Sequence, residues 1–462
     1  MKMQTYLKHQ ASSEEKGHKK SSSFFTHSLV IIAVVCTLFI GPGHASQKNK
    51  FDPAWDKIDS KATKIAEFEG GHLYKQNAVH IVVLNGTFHE MGRQYGHLLK
   101  EQINWHFDEL KKDFFVTPAG NNPVDQPAPL MNHEELTKLF MAGFYNALPY
   151  AHKQMIKGAA ETSGLALEDM VFMDNMLQAV LYSAGIGGGG CTSAAVWGKA
   201  SADGRLYTGR NHDFGHAWRE RLGKIGVVRI TNPANSDISV AALTRAGQVT
   251  SGIDLMNSKG LYIEFNNADN IRPLSLPTKM RGTDNLAFSL LSDYQSVAEL
   301  DIVIPSLKSN DALLMMAADP TQAKYFEMSP NLSVRNEPEF LNGGLASRAN
   351  HALHPIWNMD IDSDPDRAIA FSKPRRANFV KHLSKDPSTN NDAKMRAFLS
   401  KEIIVDGKLS DGTACIMEPA VKVEDWTSYQ TVTIPAELKI FWRIPTHTPW
   451  LEIDLKKYFT NN

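Results

Sequence analysis

The chain has 462 residues, 42% of them hydrophobic and 21% charged, so it can bury a large core and is not compositionally disordered. With 49 Lys and Arg against 50 Asp and Glu, it offers no basic field for nucleic acid or an anionic membrane surface. Three cysteines, Cys36, Cys191 and Cys415, are too few for a disulfide framework or a cysteine zinc site.

Residues 1–45 read as an export signal. Lys2, Lys8, Lys16, Lys19 and Lys20 precede an uncharged apolar run from Leu29 to Ile40, followed by Gly41-Pro42-Gly43-His44-Ala45. The run is shorter than the roughly 20 residues of an ordinary membrane span, so a cut after Ala45 and a mature form without a stable span are expected. The alternative is a short anchor left in place. Export would place the protein in the periplasm, outside the cell or in a lumen.

Helical texture then runs to about residue 190. Met91, Tyr95, Leu98, Leu99 and Ile103 follow the spacing of an amphipathic helix, and similar stretches cover about 134–162 and 167–183. Only Val79 to Leu84 reads as a strand in this half, and the Pro- and Asn-rich stretch Asn121–Pro129 reads as a surface loop. After residue 190 short β-like runs take over: Ala194–Trp197, Arg205–Thr208, Lys224–Thr231, Ile238–Leu243 and Leu261–Phe265. Asp203-Gly204 and Asn257-Ser258-Lys259-Gly260 suit hairpin turns. Helical texture returns over Asn285–Leu300 and Arg376–Leu383.

The junction is Gly185-Ile186-Gly187-Gly188-Gly189-Gly190-Cys191. Gly185, Gly187 and Gly190 satisfy a G-x-G-x-x-G pattern. A dinucleotide fold needs strand before helix, however, and here the order is reversed. Two readings remain. Four consecutive glycines make a flexible linker. Alternatively, glycine tolerates the strained backbone in which the Cys191 thiol attacks the Gly190 carbonyl, so the chain cuts itself. The cut would leave Cys191 with a free α-amine, ordinary pKa about 8, to serve as base for its own thiol.

The segment after the junction runs Cys191-Thr192-Ser193, a strand, Asp203-Gly204, a second strand, then Gly209-Arg210-Asn211-His212-Asp213-Phe214. This resembles the opening hairpin of cysteine-type N-terminal-nucleophile hydrolases. It is most similar to the autoproteolytic acyltransferase/hydrolase family typified by isopenicillin N acyltransferase, and more distantly to choloylglycine (bile-salt) hydrolases and penicillin V acylases. Leu84-Asn85-Gly86-Thr87 with Glu90-Met91-Gly92, Asn257–Leu261, Asn266-Asn267, Ala349-Asn350-His351, Arg375-Arg376 and Thr413–Met417 extend the resemblance over about residues 79–420. His212 stands where the family usually has an apolar residue.

The resemblance implies an α+β fold, a four-layer αββα sandwich, cut into an α chain of residues 46–190 and a β chain of 191–462 that stay associated. It implies acyl transfer from a small acylated amide or ester through a thioester on Cys191, with no cofactor and no metal. Asp213 would orient and stabilise the amine, and Arg210 would favour the thiolate or hold Asp213. Asn350 and Asn267 would bind the oxyanion, and one of Arg375 and Arg376 would open a late helix at the site. Arg210 and Asp213 also read as a plain structural ion pair, and Cys415 as a buried core thiol. Asp360-x-Asp362-x-Asp364 starts like a calcium loop, but Pro365 and Phe371 occupy its glycine and glutamate positions. His212, Asp213 and His216 lack a fourth metal partner. The competing function is an unprocessed, inactive binding protein or envelope-anchored scaffold.

Overall fold

The computed structural model describes residues 53–114, 133–176, 190–268, 282–310, 312–336, 344–357, 371–417 and 425–460. The leader, the Asn121–Pro129 loop, the glycine run up to Gly189 and the Asp360–Asp364 segment lie outside the described residues. Among those residues, no helix is long and apolar enough to cross a membrane.

The part before the junction supplies strands β1 (Ile58–Asp59), β2 (Thr63–Phe68), β3 (Gly71–Gln76) and β4 (Val79–Gly86). Helices α1 (Phe88–Leu98), α2 (Lys100–Phe114), α3 (His133–Phe140), α4 (Tyr150–Ser163) and α5 (Leu167–Asp174) follow. After the junction come β5 (Cys191–Gly198), β6 (Gly204–Gly215), α6 (His216–Ile225), β7 (Gly226–Pro233), β8 (Val240–Arg245), β9 (Asp254–Asn257) and β10 (Tyr262–Asn267). Next are α7 (Thr283–Asp293), α8 (Val297–Val303), β11 (Leu313–Ala318), β12 (Ala323–Met328), β13 (Ser333–Asn336) and β14 (Leu345–Arg348). The chain ends with α9 (Ser372–Lys385), α10 (Asp392–Leu399), the small ribbon β15 (Ile404–Val405) and β16 (Lys408–Leu409), then β17 (Asp425–Ile434), β18 (Lys439–Arg443) and β19 (Trp450–Asp454).

The strands form a seven-stranded sheet, β1-β19-β18-β17-β6-β5-β14, and a ten-stranded sheet, β13-β12-β11-β10-β9-β8-β7-β4-β3-β2. Their facing sides share one apolar layer: Val79, Ile81, Val83, Val228 and Ile230 of the larger sheet meet Ala195, Leu206, Trp442 and Ile453 of the smaller. The opposite side of the smaller sheet packs Ala194, Val196 and Tyr207 against Phe379, Leu383, Met395 and Phe398 of α9 and α10. The opposite side of the larger sheet is covered twice. Leu73, Val82 and Leu84 lie under α1, α2, α4 and α5, and Val240, Ala242 and Ile263 under α7 and α8. Helix, sheet, sheet, helix is therefore the layer order, the α+β αββα sandwich expected from the sequence.

Local chemistry accounts for the elements. Thr87 caps α1, and Glu90 reaches back to the Thr87 N–H at 2.7 Å, a capping box. Met91, Tyr95, Leu98, Leu99 and Ile103 are all buried. Gly204 sits at φ +83°, the left-handed conformation that the β5–β6 turn requires, and Asp203 accepts the Arg205 N–H at 3.0 Å.

Four expectations change. Among the described residues the first half holds four strands rather than one; β2 is exposed along most of its length, so no alternation marks it. β6 continues through Gly215, well past Thr208, because polar residues 209–213 face the site instead of a plain core. The expected strand from Lys224 starts at Gly226, behind helix α6. Residues 413–417, which resemble a late core strand of the family, form no strand; Ala414 makes a single isolated bridge to Glu402, although Cys415 is buried beside Ile403 and Ile404 as a core thiol.

Candidate active site

Cys191 is the first residue of β5 and pairs with His212 across the hairpin, while Ser193 pairs with Arg210. Strand alternation sends Cys191, Ser193, Arg210 and His212 into the layer between the sheets, and Thr192, Asn211 and Asp213 toward α9 and α10. The thiol therefore lies in the inner layer at the start of β5, and the Gly190–Cys191 peptide lies between two polar clusters.

The inner cluster surrounds Arg210, which is 1% exposed. Its Nη2 is 3.4 Å from Cys191 Sγ and also donates to the Phe265 carbonyl. Nη1 pairs with Asp254 and meets the Tyr429 hydroxyl at 3.0 Å; Nε donates to Asn266 Oδ1 at 3.2 Å. Asn266 in turn donates to Ser193 Oγ at 3.0 Å, which shares a 2.9 Å hydrogen bond with Tyr325. Burial works against the Arg210 charge, but Asp254 and its other neighbours hold it firmly protonated.

The outer cluster surrounds Arg375. Its Nη1 donates to Thr192 Oγ1 at 2.6 Å and to Asp213 Oδ2 at 3.2 Å, and its Nη2 to Asn350 Oδ1 at 2.8 Å. Asn350 Oδ1 also accepts the Cys191 N–H at 2.8 Å, while its Nδ2 donates to the Asn267 carbonyl at 3.1 Å. Thr427, opposite Asp213 on β17, donates to Asp213 Oδ1 at 2.7 Å. The Asp213 N–H donates to the Gly190 carbonyl at 2.7 Å. A Cβ on Gly190 would lie 2.8 Å from Arg375 Nη2, so the site fits only glycine there without moving a guanidinium held on three sides.

Burial pushes the Cys191 thiol up to about 12, against the pull of Arg210. Burial also lifts the Asp213 carboxyl to about 6, with Arg375 and Thr427 working the other way. His212 stacks on Tyr429 at 4.4 Å, and burial followed by Arg210 and Arg245 drives its pKa far down, so it stays neutral.

Of the residues expected from the sequence, Gly190, Cys191, Arg210, Asp213, Asn350 and Arg375 come together. Asn267 contributes its backbone carbonyl. Arg376 turns to the Ser347 carbonyl at 3.2 Å, so Arg375 is the arginine at the site. Sequence reasoning missed Thr192, Asp254, Thr427 and Tyr429. Thr192 was visible as the neighbour of the thiol; the other three lie on distant strands and carry no local signal.

No protein-family model and no curated protein matches the chain. Among solved structures it is similar to a mutant of conjugated bile acid hydrolase from Clostridium perfringens, at 13% identity and TM-score 0.40, over 59% of this chain and 94% of that one. It is also similar to the Caenorhabditis elegans ortholog of N-acylethanolamine-hydrolyzing acid amidase, at 14% identity and TM-score 0.36, over 53% and 93%. A third is penicillin V acylase from Agrobacterium tumefaciens, at 14% identity and TM-score 0.35, over 59% and 89%.

Proposed function

We propose that the chain is an exported N-terminal-nucleophile hydrolase or acyltransferase that cuts itself between Gly190 and Cys191 and then acts on an amide or ester acyl donor. The observation that carries this reading is the setting of the Gly190–Cys191 peptide. Its carbonyl receives the Asp213 N–H at 2.7 Å, and its N–H is held by Asn350 at 2.8 Å. The thiol of the same residue lies 3.4 Å from the Arg210 guanidinium.

In the cut, Cys191 Sγ bonds to the Gly190 carbonyl carbon and the thiol proton passes to the departing Cys191 nitrogen as the C–N bond breaks. The Asp213 N–H is placed to stabilise the charge that develops on the carbonyl oxygen. The α-amine is free once the C–N bond breaks; water then hydrolyses the Gly190 thioester, giving the Gly190 carboxyl and the free thiol. In turnover the amine takes the thiol proton, the thiolate attacks the substrate carbonyl, and the amine's proton passes to the leaving group; water or an acceptor amine then takes the acyl group from the Cys191 thioester and restores the thiol. Asp213 and Asn350 would stabilise the protonated amine. In the uncut chain the nitrogen is an amide without basicity and the thiol is held near 12, so the precursor should be inert.

The intact mass of purified protein tests this reading. Two species, 46–190 and 191–462, are expected, and a single species from Cys191→Ala. A parental chain that stays uncut at Cys191 and lacks hydrolase activity would favour the binding-protein or scaffold alternative. N-terminal sequencing of envelope and medium fractions tests export, with Ser46 expected as the first residue of the α chain.

A further inference from the structure

Asn350 sets its side chain against the Cys191 nitrogen from a loop. β14 ends at Arg348, and Asn350 belongs to neither a strand nor a helix. Its N–H donates to Ser372 Oγ at 2.7 Å, and the same oxygen lies 2.6 Å from Nδ1 of His351, the next residue in the chain. Ser372 and Asn350 are fully buried and His351 is 3% exposed, so water does not compete for these bonds.

A hydroxyl has one proton and two lone pairs. An amide N–H only donates, so Ser372 accepts from Asn350, and its own proton is left for Nδ1. That requires a neutral ring. Burial, followed by Arg376, Arg348, Arg375 and Lys373, pushes the His351 pKa down to about 3, so the ring is neutral around physiological pH. The tautomer with its proton on Nε2 then gives all three groups a partner.

Ser372 opens α9, and Arg375 stands one turn further along the same helix. Phe371, just before it, gives the helix no side-chain cap, and among the described residues both hydrogen bonds of the Ser372 hydroxyl leave its own helix. The first turn of α9 thus grips Asn350 twice, Ser372 at the backbone N–H and Arg375 Nη2 at the side-chain Oδ1, 2.8 Å away. That Oδ1 is the atom that receives the Cys191 N–H at 2.8 Å. A run of buried hydrogen bonds therefore leads from His351 through Ser372 and Asn350 to the nitrogen that leaves in the cut and carries the proton in turnover. We propose that Ser372 and His351 are a positioning pair, which fixes the Asn350 backbone so that its side chain meets the Cys191 nitrogen. The proposal rests on the reading of the chain as a self-cutting thiol hydrolase and deepens it.

Two measurements on the full chain test the pair. The first is the rate of the cut, followed by intact mass during cell-free synthesis. Ser372→Ala and His351→Leu should each slow it by about tenfold to a hundredfold, the cost of a small misplacement beside reacting atoms. His351→Asn puts an amide oxygen where Nδ1 stood and should restore much of the parental rate. The double variant Ser372→Ala, His351→Leu should cut no more slowly than the slower single variant, because either change breaks the same run of bonds. The second measurement is hydrogen exchange in full-length Cys191→Ala. There Ser372→Ala should speed exchange of the residue-191 amide, while the Val249 and Thr250 amides, which Asp174 holds, keep the parental rate. Parental cutting rates in both single variants, or costs that add in the double variant, overturn the pair. If Ser372→Ala does not fold, equal rates for His351→Leu and His351→Asn overturn it. A parental chain that never cuts, but whose residue-191 amide still depends on Ser372, would sink the hydrolase reading and leave the pair. A chain that cuts and turns over with indifference to both residues would do the reverse.

Discussion

Burial holds the Asp213 carboxyl near 6 although Arg375 and Thr427 both favour its anion. A carboxyl raised in the folded chain stabilises the fold fully below its unfolded value, about 4, and that contribution is lost as pH rises through about 6. In the uncut Cys191→Ala chain, the parental side chain should therefore lose stability relative to Asp213→Asn between those two pH values, as read by urea unfolding. In the processed protein the same substitution keeps volume but removes the charge beside the α-amine, and turnover should fall by roughly 10²–10⁴. Asn350→Ala removes the acceptor that holds the Cys191 nitrogen and should likewise cost roughly 10²–10⁴. Folded, processed variants turning over at the parental rate would make both residues structural. The thiol adds a separate check. Arg210 opposes the burial that raises Cys191, so Arg210→Met should slow alkylation of Cys191 by iodoacetamide across the whole accessible pH range.

Helix α1 crosses α4 with backbone almost touching backbone. A Cβ on Gly92 would lie 2.0 Å from the Met155 carbonyl oxygen, and one on Gly158 would lie 2.2 Å from that of His89. Neither obstacle is a side chain that can rotate away, so Gly158→Ala should destabilise by about 1–3 kcal/mol through displacement of the helix pair, measurable by urea unfolding. The element scale is also where the sequence was most and least readable. Met91, Tyr95 and Leu98 mark α1 through their spacing, yet the glycines that let it approach α4 read only as poor helix formers. The Cys191–Asp213 hairpin was legible because its turn, its strands and its polar end are contiguous. Asp254 and Tyr429 were not, because they reach Arg210 from β9 and β17, and nothing local distinguishes them from ordinary strand residues. β2 escaped notice for the opposite reason: an edge strand with both faces wet leaves no hydrophobic period to find.

On the scale of the whole molecule, the junction divides the sequence but not the sandwich. β4 lies parallel to β7 over seven register pairs from His80–Val227 to Gly86–Pro233, and β1 runs parallel to β19 in the other sheet. The segment before the junction thus supplies strands to both sheets. Asp174, at the end of α5 and fully buried, adds a clasp between the two parts. Its Oδ1 accepts the N–H groups of Val249 at 2.6 Å and Thr250 at 2.7 Å, and its Oδ2 accepts the Thr250 hydroxyl at 2.7 Å. Hydrogen bonds to a carboxylate contribute about 1.5–3 kcal/mol each, so this side chain ties the last described helix before the junction to the loop after β8 beyond it. Processed protein should accordingly elute as one particle in size exclusion and separate into 46–190 and 191–462 only in denaturant. Asp174→Ala leaves two buried backbone N–H groups without this acceptor. It should lower the urea concentration at which the fragments part, while leaving the cut itself intact, because no hydrogen bond of Asp174 reaches Gly190 or Cys191 among the described residues. Fragments that separate in plain buffer would show that the shared sheets do not hold them. An Asp174→Ala protein that remains uncut would show that the clasp is needed to set the Gly190–Cys191 peptide against its own thiol.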